Sequence, residues 1–512
     1  MANQDTFFNY INEGYTTKGD FIPVGAAMLN GETVTDALVK IPLKTLNRHG
    51  LIAGATGTGK TKSLQVLAEN LSEKGIPVLL MDIKGDLSGL AQANDGHAKI
   101  TERMAKIGLP YTPKGFPVEI LTLSEQNGAR LRATVSEFGP VLLSRILDLN
   151  DTQAGVVSVV FQYCDNNKLP LLDLKDFKKI LQYATEEGKD EFTKAYGRIS
   201  TASTGSILRK IVELEQQGAD LFFGETSFDV DDLLRVNDQG KGYINIIRLT
   251  DIQDKPKLFS TFMLSLLAEI YSTFPEQGDS ERPELVIFID EAHLIFDEAS
   301  KALLNQIESI VKLIRSKGVG LYFVTQNPTD VPDAVLSQLG LKIQHALRAF
   351  TAKDRQAIKL TAQNYPDSEY YNTVDVLTAL GIGEALVSAL DEKGRPTPLA
   401  ATMMCAPMSR MDILTEDELN DLLSKSKLVK KYNETVDRES AYELLNKKIE
   451  KAEAEEAKEK AKQEKEALEK AQSKTRTSTR RSSSAMNPVV KVLTSATFIR
   501  SVFGVLSKAM KK

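Results

Sequence analysis

The chain has almost no cysteine: Cys164 and Cys405 are the two present in 512 residues, and they lie far apart. That excludes a disulfide framework and a cysteine-based zinc site, and it fits a reducing cytoplasm. The opening Met1-Ala2-Asn3-Gln4-Asp5-Thr6 has neither a basic n-region nor an apolar h-region, so no secretory signal is expected. Long apolar runs are missing too. None reaches the roughly 18 residues that a membrane-spanning helix needs. The formal net charge of −5 is too small to mark the whole chain as a polyanion binder. Acid is absent from one stretch: no Asp or Glu follows Glu469, whereas Lys474, Arg476, Arg480, Arg481, Lys491, Arg500, Lys508, Lys511 and Lys512 do.

What is present is an ordinary globular composition, 42% apolar, with a length that suggests two to four domains of about 150 residues each. Residues 20–130 alternate short β-prone runs with helical ones, and 75–82 reads as a buried strand ending in Asp82. Such alternation predicts an α/β fold, a mostly parallel sheet flanked by helices. From 129 to 235 apolar residues such as Leu142, Ile146, Leu149, Ile207, Ile211 and Leu214 recur at helical spacing, which predicts a helical insertion. Strand-like runs return at 243–247, 285–289, 321–324 and 342–347, with further candidates at 384–390 and 398–403. Helices are predicted over 256–274 and 298–316.

The expected division is therefore an N-terminal segment 1–43, a nucleotide-binding core in two parts (44–128 and 236–410) and the insertion 129–235 between them. A charged helical extension 411–474, a linker 475–488 and a basic amphipathic helix 489–512 follow. Residues 447–470 are almost pure Ala, Glu and Lys without apolar a/d positions, so a solvated single helix or arm is expected there, not a coiled coil.

One octapeptide identifies a ligand. Gly54-Ala55-Thr56-Gly57-Thr58-Gly59-Lys60-Thr61 matches G-x-x-x-x-G-K-[ST] in full, between the apolar Leu51-Ile52-Ala53 and a helical run from Lys62 to Leu71. Glycines let the backbone wrap closely enough for its N–H groups to face phosphate oxygens. Lys60 offers a charge to the β- and γ-phosphates of ATP, Thr61 a hydroxyl to Mg²⁺, and the helix N-terminus a favourable dipole. Downstream, Leu285–Ile289 ends in Asp290-Glu291, an apolar strand carrying carboxylates to a sheet edge. Asp290 is the expected Mg²⁺-shell residue and Glu291 the base that polarises the attacking water.

The tetrapeptide Asp290-Glu291-Ala292-His293 invites a DEAH-box reading, but the coupling motifs of a second motor domain are missing downstream, and His293 reads as a helix-start or supporting residue. Gln326, at the end of the next strand run, is placed to hold the water beside a γ-phosphate. Arg315 has two readings: a finger reaching a neighbouring subunit's site, or a helix-terminal arginine complementing the dipole. Asp82, Lys84 and Asp86 likewise read either as residues that support the site or sense the γ-phosphate, or as a turn signal, and Arg348 as a nucleotide contact or a surface arginine.

In order, these motifs resemble the HerA/FtsK superfamily of P-loop motor ATPases. The runs 47–61, 82–90 (Asp82-Ile83-Lys84-Gly85-Asp86-Leu87-Ser88-Gly89-Leu90) and 345–351 are similar to bacterial HerA-like proteins of the YjgR type. The likeness covers about 21–406. It implies a RecA-like core, ATP hydrolysis with Mg²⁺, hexameric rings, DNA translocation and a trans role for Arg315. The residues ahead of Lys44 are too few for the N-terminal barrel of HerA proper, which leaves open what the motor acts on. An ATPase that moves or remodels protein is the alternative.

At the basic end, Val492, Ala496, Ile499, Phe503, Leu506 and Met510 form one apolar helix face. It suits docking on the body or a neighbouring subunit, weak membrane-surface contact, or DNA contact.

Overall fold

The computed structural model describes residues 4–476 except 279, 297–300, 435 and 437. Nearly all of the expected linker and the whole basic helix 489–512 lie outside the described residues. The chain divides into a unit of 1–445 and a second unit, 446–512.

The first unit is organised on one sheet. Its strands are β1 (Phe21–Leu29), β2 (Glu32–Pro42), β3 (Gly50–Ala53), β4 (Val78–Asp82), β5 (Val118–Thr122), β6 (Ala129–Arg130), β7 (Ile244–Arg248), β8 (Leu285–Ile289), β9 (Val319–Thr325), β10 (Leu341–His345), β11 (Glu384–Ser388) and β12 (Ala400–Met404). They lie in the order β2-β1-β12-β11-β10-β3-β9-β8-β4-β7-β5-β6. From β10 to β6 every neighbour is parallel, whereas β11, β12, β1 and β2 continue the sheet antiparallel. This is the α/β, mostly parallel sheet that the alternating pattern predicted. The central strands β3, β4, β8 and β9 are buried at every position, which is why they read as unbroken apolar runs.

The segment ahead of Lys44 is part of this sheet. Asn30 (φ 52°) and Gly31 (φ 83°) form a two-residue turn with both φ positive, the twist that suits a tight hairpin between β1 and β2. The hairpin pairs with β12 through Gly25–Ala27, and Ile22, Val24, Val39 and Ile41 are buried.

Five helices, Val135–Ile146, Asp151–Asn167, Leu174–Thr185, Lys189–Tyr196 and Thr201–Gln216, occupy the predicted insertion. Beyond 410, the helices Glu416–Lys425 and Lys427–Tyr432 pack on the body despite their charge. Tyr432 is fully buried, its ring 5.0 Å from that of Phe228. In the second unit the described residues continue the helix Ala441–Arg476, whose side chains are exposed throughout 451–467. Among the described residues no helix is long and apolar enough to cross a membrane.

Two buried polar groups fasten distant parts of the body. His49, at φ 58°, donates from Nε2 to the Val311 carbonyl (2.8 Å) and accepts at Nδ1 from the Leu321 N–H (3.0 Å), tying a helix to β9. Glu69 accepts from the N–H groups of Met408 (2.7 Å) and Ser409 (3.0 Å) and from the Ser409 hydroxyl.

Glu69→Ala leaves the buried Ser409 N–H and the half-buried Met408 N–H without their acceptor and should cost about 3 kcal/mol in denaturant unfolding. Burial pushes the His49 pKa from 6.5 down to about 4, helped by the nearby Arg315 charge and opposed by the Val311 carbonyl. The folded chain keeps this ring neutral while the unfolded chain protonates it below 6.5. Its contribution is therefore complete above pH 6.5 and falls by about 3 kcal/mol as pH drops to 4. Unfolding followed between those pH values should show a shallower slope for His49→Gln than for wild type.

Candidate active site

All the motif residues except Arg315 lie past the carboxyl ends of adjacent parallel strands. The loop Gly54–Gly59 leaves β3, Gln326 follows β9, Asp290 and Glu291 follow β8, and Asp82 closes β4. β9 separates β3 from β8, and β8 pairs with β4 through Met81 and Ile289. In an open α/β sheet this edge is where ligands bind.

The loop is built by its glycines and by what presses on them. Gly54 (φ 151°) and Gly59 (φ 116°) have backbones that disfavour side chains. A Cβ on Gly54 would lie 2.5 Å from that of His345, and one on Gly59 3.2 Å from the Gly383 backbone. Hydrogen bonds Gly54 N to Thr325 O (3.3 Å) and Ala55 N to Ala346 O (2.9 Å) hold the loop between β9 and β10. Lys60 opens the helix Lys60–Glu73; its ammonium donates to the carbonyls of Gly54 (2.7 Å) and Ala55 (3.2 Å) beneath the loop. Burial lowers the Lys60 pKa, and the Lys84 charge lowers it further. Thr61 follows in the first helical turn.

The acids are buried and only partly paired. Asp290 Oδ1 accepts the Glu291 N–H (2.9 Å) and its Oδ2 is 3.7 Å from Lys84 Nζ. Burial pushes the Asp290 pKa up to about 6, with Lys84 opposing and Glu291 adding to the rise. Glu291 sits at φ 47°, a left-handed conformation that costs a non-glycine residue roughly 1 kcal/mol or more. Its Oε1 is 2.5 Å from Lys84 Nζ, while Oε2 has no hydrogen bond although His293 Nδ1 lies 3.3 Å away.

Asp82 organises the turn after β4. Its Oδ1 accepts from the N–H of Gly85 (2.7 Å) and Asp86 (3.2 Å), and its Oδ2 from Leu87 (3.2 Å). Burial, reinforced by Asp86, raises its pKa to about 6. Asp82 is thus used up by the turn, whereas Lys84 is aimed from that turn at the Asp290–Glu291 pair. Gln326 is exposed; Asp330 braces its turn by accepting from Thr325 Oγ1 (2.6 Å) and Asn327 N (3.1 Å).

Arg315 is elsewhere. It begins the turn Arg315–Lys317 ahead of β9, at the opposite edge of the sheet, and β9 alone spans roughly 20 Å. Arg348 is exposed past β10 and donates to the Thr378 carbonyl (3.2 Å).

Two supports escaped the sequence reading of roles. His345, buried at the end of β10, accepts at Nε2 from the Ser63 hydroxyl (2.9 Å) and donates from Nδ1 to the Glu384 carbonyl (2.9 Å). Burial keeps it neutral, with a pKa pushed down to about 4. Arg103 donates to the carbonyls of Ile382, Gly383 and Met404 (3.0–3.2 Å), and Gly383 N–H in turn holds Thr58 O (2.9 Å). His345 had a signal, a histidine within the strand-like run 342–347; Arg103 had none.

Similarity to known proteins agrees with this geometry. A family model described as helicase HerA-like C-terminal matches residues 27–512. The DNA double-strand break repair helicase HerA of Sulfurisphaera tokodaii is 25% identical over 358 residues, 69% of this chain and 64% of the relative. The DNA import protein CedB of Sulfolobus acidocaldarius is 24% identical over 361 residues, 70% of this chain and 52% of CedB. The chain thus spans less than two thirds of the length of these relatives. The fold is shared with the bacterial conjugative coupling protein TrwBdeltaN70, at a TM-score of 0.50 and 14% identity, covering 80% of this chain and 94% of that one. A match of that extent, on a sheet whose motif residues meet at one edge, makes this chain a member of the helicase HerA-like C-terminal family.

Proposed function

We propose that the chain is an ATP-hydrolysing motor subunit that works with Mg²⁺ in a hexameric cytoplasmic ring and translocates DNA. The observation that carries this is the convergence of the Gly54–Thr61 loop, the buried Asp290–Glu291 pair and Gln326 on one sheet edge, in a HerA-like chain. The names of the HerA and CedB relatives support DNA as the moved polymer. Two buried free cysteines suit a reducing compartment.

In this reading the backbone of Gly54, Ala55, Thr56, Gly57, Thr58 and Gly59 cradles the phosphates, and Lys60 leaves its loop carbonyls for the β- and γ-phosphates. Mg²⁺ fits what is present. No cluster of three metal-ligating side chains exists among the described residues, but Thr61 and Asp290 offer a hydroxyl and a half-paired carboxylate. Mg²⁺ is characteristically held by one or two such oxygens plus substrate phosphates and neutralises phosphate charge there. Glu291 takes the proton of the attacking water, and Gln326 holds that water in line. Arg315, remote from its own loop, serves the loop of the next subunit. The working division of the chain is a core of 44–128 and 236–410, an insertion of 129–235 and a charged extension from 411.

Lys60→Ala should abolish nucleotide binding. Glu291→Gln should keep binding and lower kcat by about 100-fold or more. ATPase assays with duplex and single-stranded DNA should show stimulation that weakens with salt; turnover indifferent to every DNA sinks the DNA reading and favours a protein-remodelling ATPase. Arg315→Ala should lower turnover about 1000-fold. Mixing Arg315→Ala with Glu291→Gln subunits should restore part of it, because some interfaces then combine both intact groups. Full activity of Arg315→Ala alone excludes the trans finger.

A further inference from the structure

Lys84 is attached to the wrong partner for a hydrolysing site. Its ammonium lies 2.5 Å from Glu291 Oε1 and 3.7 Å from Asp290 Oδ2. The two acids are buried, with side chains 8% and 5% exposed, whereas the Lys84 side chain is 39% exposed. A carboxylate oxygen that accepts an ammonium so closely has its lone pairs engaged and is withheld from water. One oxygen of the residue proposed to polarise water is therefore occupied by Lys84.

The pairing is built, not incidental. Asp82 spends both oxygens on the N–H groups of Gly85, Asp86 and Leu87, and Gly85 turns at φ 77°. This fixes the backbone from which Lys84 extends across the β4–β8 step. Lys60 holds the loop carbonyls of Gly54 and Ala55 and Lys84 the acids after β8, so both ammonium groups lie at the sheet edge that carries the loop. Like charges that converge in this way suit a multiply charged anion placed between them.

We propose that Lys84 is a latch on Glu291 that a nucleotide's terminal phosphate opens. On this account, which rests on the ATPase reading above, the Lys84 ammonium exchanges Glu291 Oε1 for a terminal phosphate oxygen. Both partners are anions and the phosphate carries more charge, so the exchange needs only a side-chain rotation from a half-exposed position. Glu291 is then free to accept a proton from water. A diphosphate offers no oxygen there, and the latch stays shut. Lys84 is a positioning residue in this scheme until it meets the phosphate, and it makes the base available only when there is a bond to cleave.

The test is binding, not turnover. Full-length wild type, Lys84→Ala, Lys84→Arg, Glu291→Gln and the double variant Lys84→Ala/Glu291→Gln are titrated with fluorescent ADP and with a fluorescent non-hydrolysable triphosphate analogue, both with Mg²⁺. Lys84→Ala should weaken the triphosphate analogue about tenfold, the size of one charge-assisted hydrogen bond, and leave ADP within about twofold. Lys84→Arg should retain most of the discrimination. Glu291→Gln should bind the analogue several times more tightly than wild type, and the double variant should lose that gain. Equal losses for both nucleotides in Lys84→Ala, or strictly additive effects in the double variant, make the pair a static structural contact and overturn the latch. Wild type that binds neither nucleotide overturns the ATPase reading itself, a result distinct from failure of the latch.

Discussion

Strands β3, β4, β8 and β9 are covered on both faces, so they carry apolar side chains along their whole length and can place charge only beyond their ends. Everything chemical in this molecule follows from that constraint. Asp82, Asp290 and Glu291 each occupy the first positions where a strand stops, and they remain largely buried there. Burying carboxylates costs several kcal/mol unless they find partners. Asp82 finds three backbone N–H groups, Asp290 finds one, and Glu291 finds an ammonium for one oxygen only. This gradient of satisfaction separates the groups. The fully satisfied carboxylate holds a turn in shape, and the partly satisfied ones have lone pairs left for ligands.

The same constraint explains what was legible in the sequence. A strand buried on both faces must be written as an unbroken apolar run, so 285–289 and 321–324 could be recognised, and with them the polar residues that end them. The glycine-rich loop was legible because its chemistry is local: all eight residues are consecutive. Legibility failed where the physical partner is remote in sequence. Arg103 secures the Ile382–Gly383 turn, and through it Thr58, by contacts about 280 residues away. Lys84 gave its identity but not its partner. It was readable as a supporting or γ-phosphate-sensing group or as a turn residue, and only the structure brings its ammonium to Glu291.

Composition under-informed in two regions. The charge-rich stretch after 410 reads as an extension, yet Leu428, Tyr432 and Leu445 are buried and join 411–445 to the body. A few apolar anchors decide docking, and averages over a charged window dilute them. At the other end, Asn30-Gly31 carries a strong hairpin signal, but nothing local says that the hairpin pairs with β12, more than 370 residues further on.

Arg315 and the Gly54–Thr61 loop sit at opposite edges of one rigid sheet, and no side-chain motion brings them together within a chain. If both serve one hydrolytic site, that site must be shared between copies. The contact is then heterologous, one face meeting a different face of the next copy, and repetition closes such a contact into a ring when the rotation allows. A lone subunit would be silent for two unrelated reasons. It lacks the neighbour's guanidinium, and its own Glu291 is held by Lys84. On the proposed reading, assembly would lift the first restraint and a terminal phosphate the second. Each would act on a different charge at the same sheet edge, so neither signal would substitute for the other.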